Sequence, residues 1–346
     1  MPASVRPLSG DPPRFEGGLQ QVADGAWAWL QPNGGWGEAN AGLVVGGEAA
    51  LLVDTLWDER LARQMLDAMT PVLQGRELRY VFNTHSDGDH WWGNRAVPAP
   101  AEILTTTASR ATMDEDTTPH ELARLARLTG LGARLPGPLH GLTSYVRDML
   151  APFDFGGVEL RFPDRSFEAE ETLLLGERAV RLRKLGPAHT PGDAIVHVPD
   201  VGVVFAADVL FVGVTPVMWF GPLEGWIAAL DTLLSLDAAL YVPGHGPVCG
   251  RDGVLELREY MTWLGDVTRT QHAAGRTALD AARAAIAMPE FGRWRDWLGP
   301  ERIVITVDTI NRHLQGSDPV GISAQGRAKL FKRAAALQTD LSGRTR

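Results

Sequence analysis

The segment Asn83–Asn94, "NTHSDGDHWWGN", places His85, Asp87, Asp89 and His90 within six residues. Imidazole and carboxylate together suit zinc, iron or manganese, whereas an all-oxygen set suits magnesium or calcium. Metal ligands can be scattered along a chain and gathered by strands, and three later segments offer candidates. These are "GPAHTPGD" with His189, "VVFAADVLF" with Asp208 and "YVPGHGPV" with His245. Each sets one His or Asp in or after a β-rich run, with Gly or Pro beside His189 and His245, where the backbone can bend toward a common point. A lone His is more often a packed core residue than a ligand. On that ground His120, His140, His197, His272 and His313 are read as structural, and the single Cys249 as a small packed side chain.

The elements that must carry these residues alternate between strand and helix. "QQVADGAWAWLQ" alternates as a strand, and "AGLVVGG" and "AALLVDT" form a hairpin at Gly46-Gly47-Glu48. "DERLARQMLDAM" has helical spacing with Leu61, Met65 and Met69 on one face, and "ELRYVFNT" is a strand running into His85. A second series follows: strands "GGVELRFP", "AVRLRKL", "AIVHVPD" and "GVVFAAD", helix "GWIAALDTLLSL", then strand and loop "ALYVPGHG". Two such sets imply an α/β fold of two sheets packed face to face with helices outside. The expected organisation is a loose leader over residues 1–18 and a main domain over 19–250. The domain carries a helical insertion at about 107–151, either a surface hairpin or a lid, and a helical extension covers 251–346.

Bulk properties narrow the function. A chain of 346 residues with 45% hydrophobic content can bury a large core. A net charge of -9 offers no basic face for a phosphate backbone, so nucleic acid is not an expected partner. One cysteine excludes an intramolecular disulfide and a multi-cysteine metal site. The first residues show no apolar signal region and no run long enough to span a bilayer, so a soluble cytoplasmic protein without a membrane partner is expected.

In order and spacing, His85-Ser86-Asp87-Gly88-Asp89-His90, His189, Asp208 and His245 resemble the metallo-β-lactamase superfamily, over roughly Gln20 to Gly250. The resemblance implies an αββα sandwich and two divalent metal ions. His85 and His189 would hold one ion, Asp89, His90 and His245 the other, and Asp208 would bridge them. Asp54 matches a buried structural aspartate of the family, and Asn40 a polar residue near the site. Asp87 departs from the pattern, because the family places a second histidine there. A carboxylate can be a direct ligand, act through water, or mark a disabled site. Zinc is the expected metal, with iron or manganese admitted by the harder oxygen of Asp87.

A two-metal centre acidifies a bridging water and polarises the oxygen under attack, with Asp89 and Asp208 as catalytic carboxylates. No Gly-x-Ser-x-Gly turn competes with it. Eleven tryptophans include Trp36, Trp57, Trp91, Trp92 and Trp219 on or beside the site loops, which suits an apolar or aromatic substrate group. The expectation is hydrolysis of an acyl ester, thioester or lactone of a small molecule, with an acyl-carrier- or CoA-linked substrate included. "GGWGEANAGLVVGGEAALLVDTL", "GVTPVMWFG" and "VPGHGPV" also resemble aromatic-polyketide cyclases of the superfamily, which implies ring closure as an alternative. A di-iron or manganese redox enzyme and a degenerate binding protein are the others.

Overall fold

The computed structural model describes residues 5–8, 10–115, 117–134, 140–318 and 324–344. Parts of the expected leader, insertion and extension lie outside these residues. The first sheet sets seven strands side by side in chain order: β1 (Gly18–Ala23), β2 (Ala26–Leu30), β3 (Ala41–Gly46), β4 (Ala49–Val53), β5 (Glu77–Phe82), β6 (Glu102–Thr106) and β7 (Arg165–Phe167). β1 to β4 pair antiparallel, and β4 to β7 parallel. The second sheet holds β8 (Glu170–Leu175), β9 (Arg178–Lys184), β10 (Ala194–Val198), β11 (Val203–Phe211) and β12 (Leu240–His245), in the order β12-β11-β10-β9-β8.

Period-two alternation explains the layers. Val44, Leu51 and Phe82 of the first sheet share a core with Leu182, Val196 and Phe205 of the second. Their neighbours Leu43, Leu52 and Val81 face the other way, into the cluster that contains Leu61, Met65 and Met69 of α1 (Glu59–Leu73). The sheets meet closely at Gly42, where a Cβ would stand 2.2 Å from the Phe205 ring. β11 is buried along all nine of its residues, as expected for a strand covered on both faces.

α2 (Gly88–Trp91) follows β5, and α3 (Thr107–Thr112), α4 (Pro119–Gly132) and α5 (His140–Leu150) lie between β6 and β7. α6 (Leu223–Ser235) joins β11 to β12. After β12 come α7 (Arg251–Ala273), α8 (Ala278–Ala287), α9 (Ile303–Leu314) and α10 (Ala324–Arg344). Nine of the twelve residues of α9 are buried, because it packs against α7, α8 and α10. No helix among the described residues is long and apolar enough to cross a membrane.

Two sequence expectations need correction. "QQVADGAWAWLQ" is two strands folded over Asp24-Gly25, with Ala23 paired to Ala26 and Gly25 at φ +68°. "GGVELRFP" is not a strand. There the Arg161 carbonyl accepts from the Asn94 side chain (3.0 Å) and its guanidinium binds the carbonyls of Val97 and Ala101, so side chains tie down what a ladder would otherwise pair. β6, β7 and β8 were not among the expected strands.

Candidate metal centre

The motif loop leaves β5 and is closed on itself by paired amides. Asn94 Nδ2 donates to Asn83 Oδ1 (2.8 Å) and Asn83 Nδ2 to Asn94 Oδ1 (3.1 Å). From this loop, His85 and His90 bring their rings to 4.1 Å between centroids. His189 arrives from the loop after β9, Asp208 from within β11 and His245 from the end of β12. His189 Nε2, His85 Nε2 and His245 Nε2 lie 3.3, 3.9 and 3.6 Å from Asp208 Oδ2, and His90 Nε2 lies 3.2 Å from Oδ1. Asp89 Oδ2 is 3.4 Å from His245 Nε2. Three groups keep their ligand atoms within 4.8 Å of one another: His85, Asp87 and His189; Asp89, His90 and His245; and His85, His90 and Asp208.

These residues fit metal ions. His85 Nε2, His90 Nε2 and Asp208 Oδ1 are buried and make no hydrogen bond, a costly state unless something else occupies their lone pairs. The proton accounting agrees. The Val217 carbonyl can only accept, so His189 Nδ1 carries the hydrogen of their 2.5 Å bond and Nε2 is free for a ligand role. Asp54 Oδ2 accepts from His90 Nδ1 and from the Thr84 hydroxyl, each at 2.8 Å. The Thr84 hydrogen is thereby used, so its oxygen accepts from His85 Nδ1 at 3.0 Å. One buried carboxylate therefore sets both tautomers and turns both Nε2 atoms toward the cluster.

Electrostatics follow from burial and crowding. Burial, reinforced by the charge of His90, pushes His85 down to about 3. Burial also opposes charge on His189, but Asp208 and Asp87 outweigh it and lift that histidine to about 9. His90 is held well above its usual value against burial by Asp208, Asp54 and Asp89. The protons on His90 and His189 supply positive charge that metal ions would replace.

The backbone around the centre is constrained. Asp54, Leu56 and Ala207 adopt positive φ of 61°, 69° and 44°, a region rare outside glycine and concentrated at functional sites. Gly244 has no substitute in this setting, since a Cβ would stand 1.8 Å from Asp208 Oδ1. Asn40 ties down the His245 loop, donating to the carbonyls of Pro243 (3.0 Å) and Gly246 (2.8 Å).

Asp87 is the most heavily bonded member. Its Oδ1 accepts from Arg327 of α10 (2.7 Å), and its Oδ2 from Trp219 Nε1 (2.9 Å), with His189 Nε2 3.0 Å away. Burial disfavours its charge, but Arg327 and then His189 hold the carboxyl well below its usual value.

A cavity of about 540 Å³ opens over the cluster, reaching Asp87, Asp89, His189, Asp208 and His245. Trp36, Trp57, Trp92 and Trp219 line it, with leucines of α4 and α5 opposite. Trp91 does not. Its indole is buried, donates to the Ser86 carbonyl (3.0 Å) and packs on Phe162, which corrects its expected place in the pocket. Sequence reasoning also missed Arg302 and Arg327 in the lining, and Asp193. Asp193 accepts from Thr190 N and Oγ1 to fix the His189 loop, and burial raises it to about 6. A turn-type Asp in "HTPGD" was a readable signal for Asp193. Arg327, 240 residues from its partner, had none. None of His120, His140, His197, His272 and His313 joins a ligand group among the described residues.

Residues 34–245 match the model of the metallo-beta-lactamase superfamily. The chain belongs to this superfamily. Its similarity to the 2,4-dinitroanisole O-demethylase subunit alpha of Nocardioides sp. (strain JS1661) is 25% identity over 254 residues, covering 72% of this chain and 62% of the relative. Among solved structures, the stereoselective inverting sec-alkylsulfatase Pisa1 from Pseudomonas sp. superposes with a TM-score of 0.66 at 16% identity. It covers 87% of this chain, which spans 50% of that one. A metallo-beta-lactamase from Pontibacter korlensis gives a TM-score of 0.51 at 16% identity, over 70% of this chain and 98% of that one. These likenesses show the α/β fold with its two mixed sheets, and the chain carries the buried His/Asp metal site of a superfamily enzyme.

Proposed function

We propose that this superfamily member is a dinuclear metal-dependent hydrolase. Its substrate is an acyl ester, thioester or lactone with a bulky apolar or aromatic body. One observation carries the proposal: the His/Asp cluster lines a cavity of about 540 Å³ whose other walls are indoles and leucines, a size and composition that suit a small organic substrate. His85, His189 and Asp87 would hold one ion and Asp89, His90 and His245 the other, with Asp208 between them. When bound, the ions supply an acidified water and polarise the oxygen under attack.

The chain's own residues do the rest. Asp89 is the most open of the cluster carboxylates, its side chain 15% exposed against 4% for Asp208, so its Oδ2 can orient the attacking water and take its proton. Trp36, Trp57, Trp92 and Trp219 hold the apolar body and exclude bulk water. A catalytic role for Asp208 predicts that Asp208→Asn loses at least one ion and activity by about 10³-fold or more.

The named relatives include an O-demethylase and a sulfatase and no polyketide cyclase, so aryl ethers and secondary alkyl sulfates are a second substrate class beside acyl esters. The test is metal analysis of protein purified without chelator, followed by turnover of aryl acyl esters, acyl thioesters, lactones, secondary alkyl sulfates and aryl methyl ethers. Near two ions per chain and chelator-sensitive acyl hydrolysis support the proposal. Turnover confined to the ethers or sulfates replaces the substrate class, and no bound metal overturns the mechanism.

A further inference from the structure

Of the arginines that line the cavity, Arg302 is buried and is not used by the metal centre. Arg302 is only 4% exposed, yet its side chain makes no hydrogen bond or ion pair with the described residues, and its Nε is buried without a partner. It lies over the Trp36 ring at 4.4 Å and lines the same cavity as the cluster. Neither nearby acid forms an ion pair with it. Glu301 accepts from the Tyr145 hydroxyl (3.2 Å), and Glu38 accepts from the backbone of Gly35 (2.7 Å) and Leu8 (3.2 Å). Arg302 is also the residue from which α9 starts, and no side chain caps that helix, so the positive end of the helix dipole adds to its charge. A buried guanidinium without a counter-ion is expensive, and proteins keep such groups paired.

From this we infer that Arg302 is an anion-recognising residue, and that the substrate carries a carboxylate remote from the bond that is cut. The inference rests on the hydrolase reading for the word substrate, and on the geometry alone for the anion. The route from anion to cluster is built of aromatic rings. Trp36 and Trp219 lie 6.2 Å apart with Phe331 edge-on to both, and Trp219 Nε1 donates to Asp87. The carboxylate therefore sits two indole rings from the metal ligands, and the substrate's apolar body spans those rings. Arg327, the second guanidinium on this wall, lies over Trp219 at 4.6 Å and is engaged with Asp87. The planar fork of Arg302 matches a carboxylate in a way an ammonium does not.

The test is a binding comparison on the full metal-loaded chain, read by calorimetry, with 4-phenylbutyrate and its neutral isostere 4-phenylbutyramide. Wild type is expected to bind the carboxylate about tenfold or more tightly than the amide. In Arg302→Gln, with metal content and circular dichroism retained, the affinity ratio falls by about tenfold. Any contribution of the ions to carboxylate binding is common to both proteins and cancels from that change. If Arg302→Gln does not fold, Arg302→Lys keeps the charge but not the fork, and the ratio falls at least threefold. A wild-type ratio near one overturns the inference, as does an unchanged ratio in the folded variants, or a loss that follows Arg327→Gln instead. Binding is read without turnover. A chain with the preference that hydrolyses nothing retains the anion site and loses the hydrolase reading, and a hydrolase with no preference does the reverse.

Discussion

Asp54→Asn is the substitution that most directly tests the proton accounting. Asp54 is buried at 2% exposure, and its Oδ2 accepts two hydrogens, one from His90 Nδ1 and one from the Thr84 hydroxyl. An amide is nearly isosteric, and its oxygen can still accept from Thr84 N where Oδ1 does now, at 2.8 Å. Its NH2 then faces two donors. His90 either turns Nδ1 into an acceptor, which moves its hydrogen onto Nε2 and blocks coordination, or leaves opposed N–H groups buried. The Thr84 hydroxyl loses its acceptor at the same time, which loosens the tautomer of His85. Losing a charge-assisted hydrogen bond costs about 1.5–3 kcal/mol, equivalent to roughly 10- to 150-fold in metal affinity. That range matches the usual effect of removing the partner of a ligating histidine. The assay is metal competition against a chromophoric chelator, with circular dichroism to confirm the fold. Wild-type affinity for both ions in a folded Asp54→Asn protein would refute the assignment of Asp54 as the residue that sets both tautomers.

Three further outcomes are expected. Arg327→Met leaves the Asp87 carboxylate, 9% exposed, with only Trp219 and His189 as donors, so the metal-free protein loses roughly 2–3 kcal/mol, or about 3–4 °C in Tm. Metal loading shrinks that deficit if Asp87 becomes a ligand, and equal deficits in calorimetry with and without metal would contradict ligation. Gly244→Ala drives a methyl into Asp208 Oδ1 and is expected to lower metal content below one ion per chain, as measured by elemental analysis. The Cys249 thiol is pushed up to about 12 by burial, so it stays protonated at pH 8. Its thiolate fraction there is on the order of 1 in 10⁴, against about a quarter when unfolded, and alkylation should accelerate more than 100-fold in denaturant.

The sequence alone singled out the residues that the fold gathers into the His/Asp cluster, and most of the elements that carry them. Ligand chemistry is written in residue type, so a dense run such as His85 to His90 is legible without coordinates. Short β-rich runs placed His85 and His245 at strand ends and Asp208 in a strand; a two-residue period marks such runs wherever a sheet has two distinct faces, although β11 is buried throughout. The segment "GGVELRFP" misled because alternation reports exposure, not the partner a backbone finds: there the Arg161 carbonyl accepts from the Asn94 side chain, and the Arg161 guanidinium donates to the carbonyls of Val97 and Ala101. Only the tertiary structure decided what Asp87 does. Its partners Arg327, Trp219 and His189 lie 240, 132 and 102 residues away, brought in by the packing of α10 and the loops onto the sandwich. Trp91 and Trp92 are adjacent and alike in sequence, yet one turns into the core and the other into the cavity, since a short helical turn sends successive side chains in different directions. The unpaired charge of Arg302 is likewise invisible in sequence, because a cation's need for a counter-ion depends on what folding removes from water around it.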